Sequence, residues 1–118
     1  MGVIDSIVRS ELIDSPETIS SDFTSNSVDM SGVEESFSVQ LDYSNGNGSV
    51  DMTFFLEVSV DGNAYVPITE TEFDVTDDSG VMIWEVVGRG VNFLRVATTV
   101  VGGQLTIDNI SYSGNRRH

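Results

Sequence analysis

Val50-Asp51-Met52-Thr53-Phe54-Phe55-Leu56-Glu57-Val58-Ser59-Val60 is the stretch that decides the fold. Val50, Met52, Phe54, Leu56, Val58 and Val60 recur at every second position, with Asp51, Thr53, Phe55, Glu57 and Ser59 between them. A period of two puts the first set on one face of a β-strand and the second set on the other. The stretch before it repeats the pattern, since Phe37, Val39, Leu41 and Tyr43 alternate with Ser36, Ser38, Gln40 and Asp42. Between the two lies Ser44-Asn45-Gly46-Asn47-Gly48-Ser49, whose Asn-Gly steps predict a hairpin loop.

Further along, Asp61-Gly62-Asn63 predicts a tight turn into Tyr65-Val66-Pro67-Ile68. Pro67 has no N–H for a ladder, so that strand should lie at an edge or end early. Thr71 to Val75 leads to a second turn, Asp77-Asp78-Ser79-Gly80. In Val81 to Val87, Met82, Trp84 and Val86 face one way, and Val81, Ile83, Glu85 and Val87 the other. Trp84 then sits among apolar neighbours and is expected in the core. Phe93 to Val101 and Gln104 to Tyr112 are β-rich runs about Gly102-Gly103, which predicts another hairpin. At the front, Ile4, Ile7, Val8 and Leu12 would suit a helix face. A strand over Ser6 to Ile13, stopped by Asp14-Ser15-Pro16, agrees better with the rest of the chain. Val28-Asp29-Met30 reads as a short strand.

About eight short strands, with turns every ~8–12 residues, predict an all-β antiparallel sandwich of jelly-roll or Ig-like form. A chain of 118 residues suits one such domain. The expected organisation is an N-terminal arm or first strand over 1–22, a β-sandwich over 23–113 and a basic tail over 114–118.

Composition narrows function by exclusion. Nineteen acidic residues stand against five arginines and no lysine, giving a net charge of −14. Such a chain repels phosphate backbones and anionic lipid, so neither nucleic acid nor membrane is an expected partner. Apolar runs extend only a few residues, short of the ~20 that a membrane helix needs. Met1 to Ser10 lacks a basic start followed by an apolar stretch, so no secretory leader is expected. There is no cysteine, and the one histidine is His118, the last residue. Ser-His-Asp, Cys-His and lysine Schiff-base chemistry therefore lack their parts, as do zinc sites of the usual kind. A carboxylate pair is the remaining catalytic option. Nineteen scattered acids read more simply as a solvated surface, and no enzyme activity is expected.

Val58-Ser59-Val60-Asp61-Gly62-Asn63-Ala64-Tyr65-Val66-Pro67-Ile68 is followed by Trp84-Glu85-Val86 and Phe93-Leu94-Arg95-Val96. A glycine-separated last run, Gly102-Gly103-Gln104-Leu105-Thr106-Ile107, closes the series. This order resembles the small β-sandwich virion proteins encoded among the structural genes of tailed bacteriophages. Ser6-Ile7-Val8-Arg9-Ser10 and Thr24-Ser25-Asn26-Ser27-Val28-Asp29-Met30 suit that family too. The resemblance spans nearly the whole chain through short, structural motifs. It implies a non-enzymatic capsid decoration or cement protein on the capsid exterior, without a cofactor. Its partners would be the major capsid protein or other virion subunits, and it would form a homo-oligomer, a trimer or higher. A tail or neck component has the same implied fold. The core pattern also resembles discoidin-like and other carbohydrate-binding jelly rolls, which implies a carbohydrate-binding or adhesion module as the alternative.

Four residues stand out as interface candidates. Phe55 points away from the Val50–Val60 apolar face, and an exposed large aromatic marks a contact surface unless a second layer covers it. Tyr65 follows a turn and would rim a binding surface, unless it is simply a half-buried tyrosine of the sandwich. Arg116 and Arg117, with His118, put positive charge on an acidic chain and suit an acidic neighbour. Arg95, between Leu94 and Val96, reads as paired with an acid across strands. Asp74, Asp77 and Asp78, and Asp42, Asn45, Asn47 and Asp51, offer oxygen ligands, but neither set has calcium-loop spacing, so solvated turns are expected and no metal.

Overall fold

Two long antiparallel strands form the spine of the molecule. The computed structural model describes residues 5–30, 33–87 and 92–117, and the side chains of 9–30, 36–86 and 92–114. Its strands are β1 (Asp5–Glu11), β2 (Glu17–Ile19), β3 (Phe23–Thr24), β4 (Val28–Asp29), β5 (Val33–Ser59), β6 (Val66–Pro67), β7 (Phe73–Val75), β8 (Gly80–Val87) and β9 (Phe93–Arg117), with a 3-10 turn at Thr69–Thr71. β5 and β9 pair along nearly their whole lengths, from Val33 opposite Arg116 to Ser59 opposite Phe93. β1, β2, β3 and β4 follow one another along the free side of β9, and β6, β7 and β8 along the free side of β5.

Every inward side chain of this ribbon needs a cover, and the ribbon covers itself. Val39, Leu41, Met52, Phe54 and Leu56 on β5, and Leu94, Val96, Leu105, Ile107 and Ile110 on β9, have no exposed surface. They belong to one apolar cluster. One layer consists of β1, the second half of β9, the first half of β5, and β8. The other consists of β2–β4, the first half of β9, the second half of β5, and β6–β7. Tyr43 and Phe54 stack on either side of the bend with ring centroids 6.5 Å apart. The fold is the expected all-β sandwich, and its strand order is that of a jelly roll.

Both predicted hairpins are bends within continuous strands. The halves of β5 on either side of Ser44–Ser49 pair with β9 and not with each other, and β9 runs through Gly102-Gly103. The glycines serve the bend instead of a reversal. Asn45, Gly48 and Gly103 have positive φ, and the ladder changes register repeatedly between Asp42 and Met52. A Cβ on Gly103 would lie 2.7 Å from the Val50 Cα, so only glycine lets the crossing strands approach. Asn-Gly and Gly-Gly steps report a local conformation; the partner on the far side is decided by strands distant in sequence. A bulge also sets the phase of β9. Asp42 pairs with Asn109 and Tyr43 with Ile107, so Asp108 is extra and both Ile107 and Ile110 point inward.

The short edge strands are joined by side chains. Between β3 and β4, Ser25 takes the place of a strand residue: its N–H donates to Val96 O, and its Oγ accepts from Val96 N at 2.9 Å. Between β2 and β3, Asp22 accepts from Val100 N at 2.8 Å. Between β6 and β7, buried Thr71 accepts from Leu56 N at 2.9 Å and donates to Ile68 O. Trp84 is buried as expected, and its indole N–H donates to Thr71 O at 2.7 Å, linking β8 of one layer to the edge of the other. Val60, grouped with the inward set by its spacing, is 65 % exposed. β5 ends at Ser59, which is itself buried by the returning turn, so the alternation stops there.

Candidate functional site

The predicted site residues fall on two separate surfaces. Phe55 is half-buried on the outer face of the second layer, between Thr53 and Glu57 and opposite Ala97. Tyr65 is also half-buried there, with the Arg95 guanidinium 4.0 Å from its ring centroid. Arg95 lies opposite Glu57 in the ladder and donates through Nε to Glu57 Oε1 at 2.7 Å. Ring, guanidinium and carboxylate thus close on one another, as the strand pairing of Arg95 suggested. The turn before Tyr65 folds back to complete the closure. Gly62 N donates to Ser59 Oγ, the Phe93 ring packs on Gly62, and Asn63 and Ala64 donate to Asp61. Those two backbone amides, with the Ser59 hydroxyl, hold the Asp61 carboxyl below its ordinary pKa.

Arg116 and Arg117 form the end of β9 at the far corner of the first layer, opposite Ser6 and Asp5 of β1. Their side chains, and His118 altogether, lie outside the described residues. The oxygen-rich turns do not converge. Asp74 accepts from the Thr53 hydroxyl, Asp77 from the Tyr43 hydroxyl at 2.8 Å, and Asp42 from the Gln40 amide. Among the described residues, no group of three or more His, Cys, Asp or Glu is placed to hold a metal ion. Burial, with the Asp77 contact adding to it, pushes the Tyr43 phenol up to about 12.

The first layer has a different outer face. Its four strands are in register, and two rows of side chains cross them: Arg9, Ser113, Ser38 and Glu85, then Glu11, Ser111, Gln40 and Ile83. Three of the four residues on the two central strands are serines, and the outer two strands carry long side chains, which leaves a trough of about 460 Å³. Ser111 in its floor accepts from the Asn109 amide at 2.7 Å and donates to Glu11 at 3.2 Å. The far wall is β8, where Val81 and Ile83 are 65 % and 55 % exposed. The arrangement is suited to holding an extended polar or mixed chain by hydrogen bonds and apolar contact. Among its described lining residues, the aromatic Tyr112 is buried and offers no ring for stacking.

Sequence reading pointed to the aromatics of the second layer and passed over this trough. Its serines look like any solvated strand face until the four strands are aligned. The outward Val81 and Ile83 were the usable signal, because a one-sided strand has no reason to be apolar on both faces.

No protein-family model matches the chain, and no curated protein sequence matches it. Solved structures do match in shape. The VP2 subviral particle of infectious bursal disease virus superimposes with a TM-score of 0.62 at 12 % identity, covering 96 % of this chain and 33 % of VP2. The SPBc2 prophage-derived protein YomS gives 0.57 at 9 % identity, over 98 % of this chain and 97 % of YomS. A cleaved adhesin domain of Lys-gingipain from Porphyromonas gingivalis gives 0.59 at 8 % identity, over 93 % and 99 %. This chain therefore spans about a third of VP2 and nearly all of the other two. At such identities the agreement concerns the fold alone.

Proposed function

We propose that this chain is a non-enzymatic structural module of a bacteriophage particle, a decoration or cement protein seated on the outside of the head shell. The observation that carries the reading is the end-to-end agreement in fold with a prophage-derived protein of matching length. The likeness of the same jelly roll to part of the VP2 subviral particle supports it. A net charge of −14 suits a protein that faces solvent on a particle and keeps clear of packaged DNA. Apolar area buried at junctions of shell subunits would supply the binding, and repetition by symmetry, as a trimer or higher, would multiply it. The partner is the major capsid protein or another virion subunit, and a tail or neck position uses the same surfaces. The test is purification of intact particles. Fixed stoichiometry of this chain to the shell protein is expected, and its absence from particles overturns the reading.

A second reading, a carbohydrate-binding or adhesion module, is favoured by Phe55, Tyr65, Arg95 and Glu57 sharing one outer face and by the match to an adhesin domain. Glycan-array binding that Phe55→Ala or Tyr65→Ala removes would establish it.

A further inference from the structure

A jelly roll has open edges on both layers, and three stretches of edge here are blunted. β2, β3 and β4 are fragments of two or three residues. β6 and β7 are equally short, and β6 contains Pro67. β1 is longer but carries Asp5, Arg9 and Glu11 in seven residues. Brevity, proline and charge are the usual means of keeping a free edge from pairing. β8 uses none of them. Gly80-Val81-Met82-Ile83-Trp84-Glu85-Val86-Val87 is eight residues with one charge and no proline. Its one side pairs with β5, and no described strand pairs with the other. Beside that bare row of backbone groups stand two of the exposed large aliphatics, Val81 and Ile83. Such an edge satisfies its N–H and C=O groups in water alone, or in a partner strand laid ~4.8 Å away.

We propose that β8 is a docking edge that accepts an extended, basic segment of a partner protein as a fifth strand of the first layer. The charge of the occupant follows from what surrounds the edge. Glu85 lies on β8, Asp77 and Asp78 lead into it, and Asp42 stands opposite Val81 on β5. No lysine or arginine lies on β8 or among outward Ser36, Ser38, Gln40 and Asp42. A complementary strand carries, on its outward face alone, aliphatic residues beside Val81 and Ile83 and Lys or Arg at the flanking outward positions beside Glu85 and the Asp77-Asp78 turn. A second copy of this acidic chain is the wrong partner electrostatically. The inference deepens the reading as a particle component by naming how a partner is held.

The test uses the full chain, isotopically labelled, and an acetylated, amidated octapeptide Lys-Thr-Ile-Thr-Val-Thr-Lys-Thr, whose Ile and Val share one strand face with both Lys. Backbone amide exchange within 81–87 is expected to slow at least tenfold on saturation, with exchange in β1 unchanged. Glu in place of Lys in the peptide, or N-methylation of the backbone amides that meet β8, should weaken binding at least tenfold. Ile83→Lys should do the same, and Val81→Lys serves as the second variant; both are checked for native circular dichroism. Unaltered exchange in β8, protection of β1 instead, or equal binding of the N-methylated peptide overturns the proposal. So does a dimer of the chain alone that Ile83→Lys disperses, which would assign the edge to a second copy. These outcomes do not depend on whether the chain is found on particles, so either claim can fail without the other.

Discussion

β5 has two neighbours on its outer side, one in each layer, and they solve the same problem in opposite ways. Along its first half lies β8, unbroken from Gly80 to Val87. Along its second half lie β6, the 3-10 turn and β7, with Thr71 filling the gap. The broken neighbour needs buried side-chain hydrogen bonds to satisfy β5, and in exchange offers the outside only short pieces of edge. The unbroken neighbour satisfies β5 by backbone alone and leaves a full strand facing outward. Stability and accessibility are therefore separated in space. Substitutions on the β6–β7 side should cost folding energy, and substitutions on the outward face of β8 should cost almost none.

Trp84 joins the two sides, so its removal should have the largest effect. Trp84→Ala deletes a buried ring and the hydrogen bond to Thr71 O, and about 3–5 kcal/mol is expected from denaturant unfolding. Trp84→Phe keeps most of the packing and loses the N–H. A cost of about 1–2 kcal/mol would isolate the bond. If Ala and Phe cost the same, the hydrogen bond and not the packing is what joins β8 to the opposite edge. Thr71→Val comes next. It keeps shape but leaves Leu56 N–H without its acceptor inside the core, and about 1–3 kcal/mol should be lost.

Tyr43 anchors the start of β8, where its hydroxyl reaches Asp77 and its ring fills the space that a side chain at Gly80 would need. Burial and that carboxylate favour the neutral phenol in the folded state, so the folded pKa, about 12, lies above the ordinary 10.0. The unfolded chain then releases its proton first as pH rises. The contribution is complete below pH 10, and stability falls as pH rises from about 10 toward 12. Tyr43→Phe should flatten that alkaline slope, as followed by unfolding at stepped pH.

How far the sequence reached is set by what is local and what is not. The alternation in Phe37–Tyr43 and Val50–Val58, the core position of Trp84 and the edge character of Pro67 depend on a strand's own period and were legible. The continuity of β5 through Ser44–Ser49 was not, because Asn-Gly steps accompany both a reversal and a bulged bend. Distant β9 decides between them. Ser25, Asp22 and Thr71 bond to β9 and β5 across 71, 78 and 15 positions, and in isolation each is one more polar residue in a loop. Arg95 with Glu57 was legible as a kind of contact, though not its partner. The trough depends on registration of four strands and left only one trace, the aliphatic residues on the wrong face of Val81–Val87.

The outer faces differ in the same sense as the edges. On the second layer, Arg95→Ala removes an ion pair and a cation–π contact at sites 29 % and 15 % exposed, and about 1 kcal/mol should be lost. Part of that loss should disappear in high salt. On the first layer, Ile83→Lys should shift stability by no more than about 0.5 kcal/mol, because its side chain already stands mostly in water. The added cation also lies among Glu85, Asp42 and the rest of an acidic surface, so any small shift should be favourable and fade with salt. A loss above about 1 kcal/mol in thermal or denaturant unfolding would mean that Ile83 packs against its own chain. β8 would then be a closed edge like its counterpart, and the contrast between the two neighbours of β5 would fail at the residue on which it turns.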